Sequence, residues 1–161
     1  MDRVHVEAEE TSRARVDAVW ALVSDANSYA KWGPWIEGGY DPAGKGPSVP
    51  GSVQWFQFGR RTRSVEKILE VDAPSRIVYT VIRGIPVKNY RAEVTLTPNQ
   101  TSGTTIRWSA TWDKTFKGRL VRRKLQTVYR QVVDNLVAAA DHDAAADNDG
   151  HAGIQARDER S

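Results

Sequence analysis

At 161 residues the chain fits one ordinary domain, able to bury roughly 65–70% of the surface its unfolded form exposes. Its 40% apolar and 27% charged residues exclude wholesale disorder and fibrous repeats, and the lack of cysteine excludes disulfides, thiolate catalysis and cysteine-based zinc sites while leaving the redox compartment undetermined. The formal charge of +3 is uneven, with a net −4 over 141–161 and +7 over 1–140, and much of the excess lies in Lys114, Lys117, Arg119, Arg122, Arg123 and Lys124.

Met1 to Glu10 carries acids and no apolar run, so no secretory signal is expected there, and nowhere do 18 apolar residues run together. A cytoplasmic protein is the resulting expectation. Val4, Val6 and Ala8 alternate with His5, Glu7 and Glu9, the period of a half-buried strand. A helix follows over Asp17 to Ser24, where Val19, Trp20, Leu22 and Val23 recur at helical spacing behind Ser12 and Asp17, each a potential cap. A short helical turn from Tyr29 to Trp32 meets Gly33-Pro34-Trp35, whose proline forces an extended path into a short strand over Ile36 to Tyr40. Asp41 to Gly51 concentrates three prolines and three glycines, which predicts a loop placed to act as a lid.

Five stretches rich in β-branched and aromatic residues come next: Ser52–Phe58, Thr62–Val71, Ile77–Arg83, Asn89–Thr97 and Thr104–Trp112. Their separators are too short for crossover helices, so an antiparallel meander is predicted. Tyr90, Ala92, Val94 and Leu96 share one face of their strand, as do Ile106, Trp108, Ala110 and Trp112 of theirs. From Phe116 to about Ala140, Val121, Leu125, Val128, Val132, Leu136 and Ala139 recur at helical spacing, which predicts a helix of about 25 residues and roughly 37 Å. Residues 141–161 hold one isoleucine as their only large apolar residue and are expected to form a disordered acidic tail behind a domain of residues 1–140.

The order of one strand, two short helices, six strands and a long C-terminal helix resembles the helix-grip arrangement of the START-like or Bet v 1-like (SRPBCC) superfamily. More specific are Glu66-Lys67-Ile68-Leu69 followed by Asp72-Ala73-Pro74-Ser75-Arg76-Ile77-Val78-Tyr79, and Ile85-Pro86-Val87-Lys88-Asn89-Tyr90-Arg91-Ala92 before Gly103-Thr104-Thr105-Ile106-Arg107-Trp108-Ser109. These segments look like the signature of the bacterial polyketide cyclase/dehydrase-type branch, in which a Glu, a Tyr, a Pro-x-x-x-Tyr and a Gly-Thr-x-x-x-Trp recur at similar spacing. Trp32, after Asp25-x-x-x-Tyr29, fits that family's first helical segment, where an aromatic commonly follows at the cavity rim. The resemblance implies an α+β fold in which a curved antiparallel sheet of six to seven strands wraps a long C-terminal helix, with two short helices after the first strand. It also implies a cavity for lipids, polyketides, hormones or other apolar molecules, and it does not imply catalysis.

Within such a cavity, strand alternation turns Trp108, Trp112 and Tyr90 inward, and Val128 and Val132 lie on the apolar face of the helix. Tyr79 has apolar neighbours on both strand faces, so only the family match turns it inward. Trp32, Trp35, Trp55, Phe56 and Phe58 are too many aromatics for the surface, and the pattern does not sort them; Trp32 and Trp55 are taken as lining candidates. Glu66, if it faces the cavity, would be desolvated, its pKa raised, and it could accept a proton or orient a ligand hydroxyl. The alternative is an exposed Glu66 or one paired with Arg83 or Arg107, and Arg83 could instead meet a ligand carboxylate at the pocket mouth.

His5, His142 and His151 assemble no Ser-His-Asp group or metal site, and Asp141, His142, Asp143, Asp147 and Asp149 read as tail rather than as metal ligands. Without a phosphate-cradling glycine loop either, neither metal nor cofactor is expected. Three functions follow. The first is binding of a small hydrophobic molecule, as carrier or sensor; the second is a cyclase or dehydratase using Glu66, Tyr79 or Tyr90 as proton donors or acceptors. The third is peripheral membrane contact through the basic first turns of the last helix, where Phe116, Leu120 and Val121 are interleaved with bases. No nucleic acid partner is expected, and oligomeric state stays open.

Overall fold

The computed structural model describes residues 2–158, with side chains described to residue 150. In chain order the elements are β1 (Arg3–Ser12), α1 (Val16–Val23), a 3-10 turn (Ala26–Ser28), α2 (Tyr29–Trp32), β2 (Glu37–Tyr40), β3 (Val53–Phe58), β4 (Thr62–Asp72), β5 (Arg76–Arg83), β6 (Arg91–Pro98), β7 (Thr104–Asp113) and α3 (Phe116–Asp158). The seven strands form one antiparallel sheet in the order β1-β7-β6-β5-β4-β3-β2. After β1 each strand from β2 onward pairs with the next, and β7 closes back onto β1, as the short connections require.

Alternation decides which face packs. On β7 Ile106, Trp108, Ala110 and Trp112 are buried on the concave side, matched by Ala92, Val94 and Leu96 of β6. Against that face α3 lays Tyr129, Val132, Val133, Leu136 and Ala140, a stripe at helical spacing. The outer edge of β1 is blunted by the helix: the Gln126 side chain donates to Glu7 O at 2.7 Å and accepts from Glu7 N at 3.3 Å, which meets part of an unpaired strand edge.

Three expectations are corrected. First, α3 does not stop near Ala140 but continues to Asp158. Past its core stripe Ala144 is still half-buried against the core, and the helix elongates from there one hydrogen bond per residue without a new nucleus. Asp141 is moreover no tail residue, since its Oδ1 accepts from Ser12 Oγ at 2.6 Å and from Arg13 N at 2.8 Å. The last tail residues, 159–161, and the His151 side chain lie outside the described residues. Second, Ser12 does not cap α1, whose N-cap is Arg15 without a side-chain bond; its hydroxyl is committed to Asp141. Third, the Asp41–Gly51 loop is no lid over the main cavity. Gly51 N donates to Ile68 O at 2.9 Å and Ser48 Oγ to Ser24 O, which folds the loop away from the opening.

Candidate ligand cavity

Between the concave sheet and the first half of α3 lies a cavity of about 440 Å³, within the range that small-molecule sites occupy. Its wall combines Trp35 and Phe58, the inward residues of β4 and β5, the Gly84-Ile85-Pro86 turn, and Val121, Leu125, Val128 and Val132 of α3. Gly84 has φ +104°, and a Cβ there would stand 2.2 Å from Arg63 O, so only glycine lets this turn press onto β4 at the cavity edge.

The β4–β5 pair shifts register twice, between Val65 and Glu66 and between Ile68 and Glu70. On β4 Ser64, Glu66 and Ile68 share the inward face by strand alternation, with Tyr79 opposite Ile68 on β5, and Glu66 and Tyr79 line the cavity. Glu66 is half-buried, the surface it keeps is turned to the cavity it lines, and the Gln54 amide donates to its Oε2 at 3.1 Å. Burial pushes its carboxyl up to about 7, with the Gln54 hydrogen bond pulling weakly the other way. Arg107 pairs with Glu7 on the outer face, so neither it nor Arg83 is the Glu66 partner.

Opposite stands an array of three tyrosines. Trp108 Nε1 donates to Tyr79 Oη at 2.9 Å, Tyr79 Oη and Tyr129 Oη share a hydrogen bond at 3.3 Å, and Tyr129 is bonded in turn to Tyr90. Burial, reinforced by the neighbouring tyrosines, holds all three hydroxyls well above the ordinary tyrosine pKa, so they remain neutral donors. On the other wall the buried Trp35 Nε1 and Ser64 Oγ have no hydrogen-bond partner among the described residues, each at a cost of about 1–3 kcal/mol.

Of the residues singled out in the sequence, Glu66, Tyr79, Tyr90, Trp108, Val128 and Val132 line the cavity together. Trp32, Trp55 and Trp112 do not. Trp32 packs edge-on behind Trp35 at 5.6 Å, its Nε1 donating to Ser28 Oγ. Trp55 alternates with the buried Gln54 and Phe56, so it sits on the outer face, where the Arg63 guanidinium lies 4.1 Å from its ring centroid. Trp112 is wholly buried, stacked on Tyr90 with its Nε1 bonded to Gly118 O at the start of α3. Tyr129 was missed, although its place four residues after Leu125 and three before Val132 puts it on the same helix face.

A family model described as polyketide cyclase/dehydrase and lipid transport matches residues 3–141. The chain belongs to that family. The fold of the polyketide cyclase/dehydrase and lipid transport family is one that binds hydrophobic ligands, in keeping with the cavity. No curated protein matches the sequence. Among solved structures the chain is similar to a solution NMR structure from Thermobifida fusca, with 24% identity and a TM-score of 0.72 over 84% of this chain and 92% of that one. It is also similar to a Nitrosospira multiformis protein, at 19% identity and TM-score 0.71 over 84% and 94% of the two chains. The protein XoxI of Bacillus cereus gives 17%, 0.70, 84% and 94% in the same terms. At these identities the likeness concerns the helix-grip fold. No helix among the described residues is long and apolar enough to cross a membrane.

Proposed function

We propose that the protein binds a small hydrophobic molecule, a lipid or polyketide-like compound, between sheet and helix, as a carrier or sensor. The observation that carries this reading is the cavity itself: about 440 Å³, walled mainly by aromatic and aliphatic side chains, with its polar groups few and grouped. The tyrosine hydroxyls are already bonded to one another, so a ligand need not satisfy them. Glu66, with one neutral hydrogen-bond partner, and Ser64 Oγ and Trp35 Nε1, unpartnered among the described residues, are the polar groups left to meet a ligand hydroxyl or carbonyl.

The test is purification from the native host under non-denaturing conditions, followed by mass spectrometry of co-purifying small molecules against a delipidated control. One stoichiometric apolar compound is the expected result. Protein that emerges empty and takes up no apolar fluorophore would overturn the reading.

A second reading, a cyclase or dehydratase acting on a polyketide-like chain, is favoured by one observation: a carboxyl raised to about 7 beside an apolar cavity is suited to accept and return a proton. The readings separate on Glu66→Gln. Turnover lost with ligand binding kept supports the enzyme, whereas absence of any turnover of the bound compound leaves the carrier.

A further inference from the structure

The cavity opens where three basic, acid-free stretches of chain converge. Of the lining residues Thr62, Gly84, Pro86 and Lys124 are exposed, and so mark the mouth. The β3–β4 turn beside it carries Arg60 and Arg61 and the β5–β6 connection Lys88, with Arg83 closing β5 and Arg63, stacked on Trp55 on the outer face, near the start of β4; no acid stands between Phe58 and Val65 or between Val81 and Ala92. On the third side α3 holds no acid from Phe116 to Val133. The acids beside its start are already engaged, Asp113 by Arg3 and Asp2 by Lys114.

Apolar side chains project among these bases. Phe116 is 71% exposed and Leu120 66%, one turn apart on the helix. At about 100° per residue, Lys117, Leu120 and Lys124 run along the side of α3 that continues into the cavity wall, while the opposite side is tied to β1 through Arg122 and Gln126. A single exposed apolar residue calls for no explanation. A ring of bases with the exposed Leu120 beside the entrance of an apolar cavity, and the exposed Phe116 one turn away at the start of α3, fits a bilayer interface. There bases meet anionic headgroups and apolar tips enter the acyl boundary. A nucleic acid would engage the bases and leave Phe116 and Leu120 without a role.

We propose that this rim docks the protein, mouth toward the membrane, on an anionic lipid bilayer. The docking surface stands whatever the cavity holds; only a bilayer role as source or sink of the ligand rests on the binding reading above.

Co-sedimentation of the full chain with vesicles of phosphatidylcholine, and of phosphatidylcholine with about a quarter phosphatidylglycerol, tests this at low salt and at about 0.5 M NaCl. Binding is expected on the anionic vesicles alone, weakened by salt. Arg61→Glu should weaken it by roughly tenfold or more, as should Phe116→Ser with Leu120→Ser, while Arg15→Glu at the far end of the molecule leaves it unchanged. The altered residues are exposed, so thermal melts should match the wild type. Absence of binding to the anionic vesicles overturns the proposal, as does equal weakening by Arg15→Glu. Tighter binding to duplex DNA, insensitive to the Phe116 and Leu120 changes, would also overturn it. Uptake of an apolar fluorophore by the wild type reports on the cavity separately, so the two readings can fail apart.

Discussion

The Gln54 amide reaches across the β3–β4 pair to the Glu66 carboxylate at 3.1 Å, and among the described residues this is the one hydrogen bond that carboxylate makes. A carboxyl with a single neutral donor in an apolar wall holds its proton to higher pH than one in water.

A pH dependence follows. Folding raises the Glu66 pKa from 4.5 to about 7, so the native state binds the proton more tightly than the unfolded chain. Its contribution to stability is then greatest below 4.5 and declines as pH rises to about 7, by up to about 3 kcal/mol. Glu66→Gln should match the wild type in denaturant titrations near about pH 4 and exceed it near about pH 8. A constant difference between the two proteins across that range would show that Glu66 is not buried as described.

Tyr129 is the hub of the tyrosine array. Tyr129→Phe removes the partner of the buried Tyr90 hydroxyl, while Tyr79 still accepts from Trp108. The expected loss is about 1–3 kcal/mol, and Tyr90→Phe with Tyr129→Phe should cost less than the two single changes summed. Strict additivity in the double-mutant cycle would refute a shared network.

Val128 lines the cavity and Trp55 lies on the outer face. Val128→Trp should therefore reduce uptake of an apolar fluorophore by roughly tenfold while the fold persists. Trp55→Ala should leave uptake unchanged and lose about 0.5–1 kcal/mol with its Arg63 contact. Reversal of these two effects would place the ligand site elsewhere.

Asp141 joins α3 to the β1–α1 corner through Ser12 and Arg13. Removing its carboxylate by Asp141→Ala should cost about 1–3 kcal/mol, read as a lower denaturation midpoint. An unchanged midpoint would mean that the anchored part of α3 ends before this residue.

How much of this was legible in the chain varies with the physical signal. The alternation in β6 and β7 and the helical stripe of α3 are one-dimensional patterns, so strand faces, helix face and antiparallel meander could be read directly. Tyr90, Trp108, Val128 and Val132 followed from those periods, while Glu66 and Tyr79 followed from the family resemblance. Tyr129 shared the helical period with Leu125 and Val132, yet its polar tip kept it off an apolar list.

Other assignments depend on contacts that no period encodes. Trp32, Trp35 and Trp55 are alike in sequence, and only packing puts one behind the cavity wall, one in it and one outside beneath an arginine. The register shifts that place Tyr79 opposite Ile68, on the face Glu66 shares, are mismatches between two strands and have no signature in either alone. The extent of α3 has a related reason: Ser12 and Arg13 hold Asp141 and the core reaches Ala144, so contacts from distant parts of the chain carry the helix beyond its apolar stripe, and it elongates from there without a new nucleus. The sequence by itself determined the elements, their faces and the family. Tertiary structure alone decided the cavity, the environment of its one carboxyl and the basic, partly apolar rim at its mouth, because each of these arises where segments far apart in the chain meet.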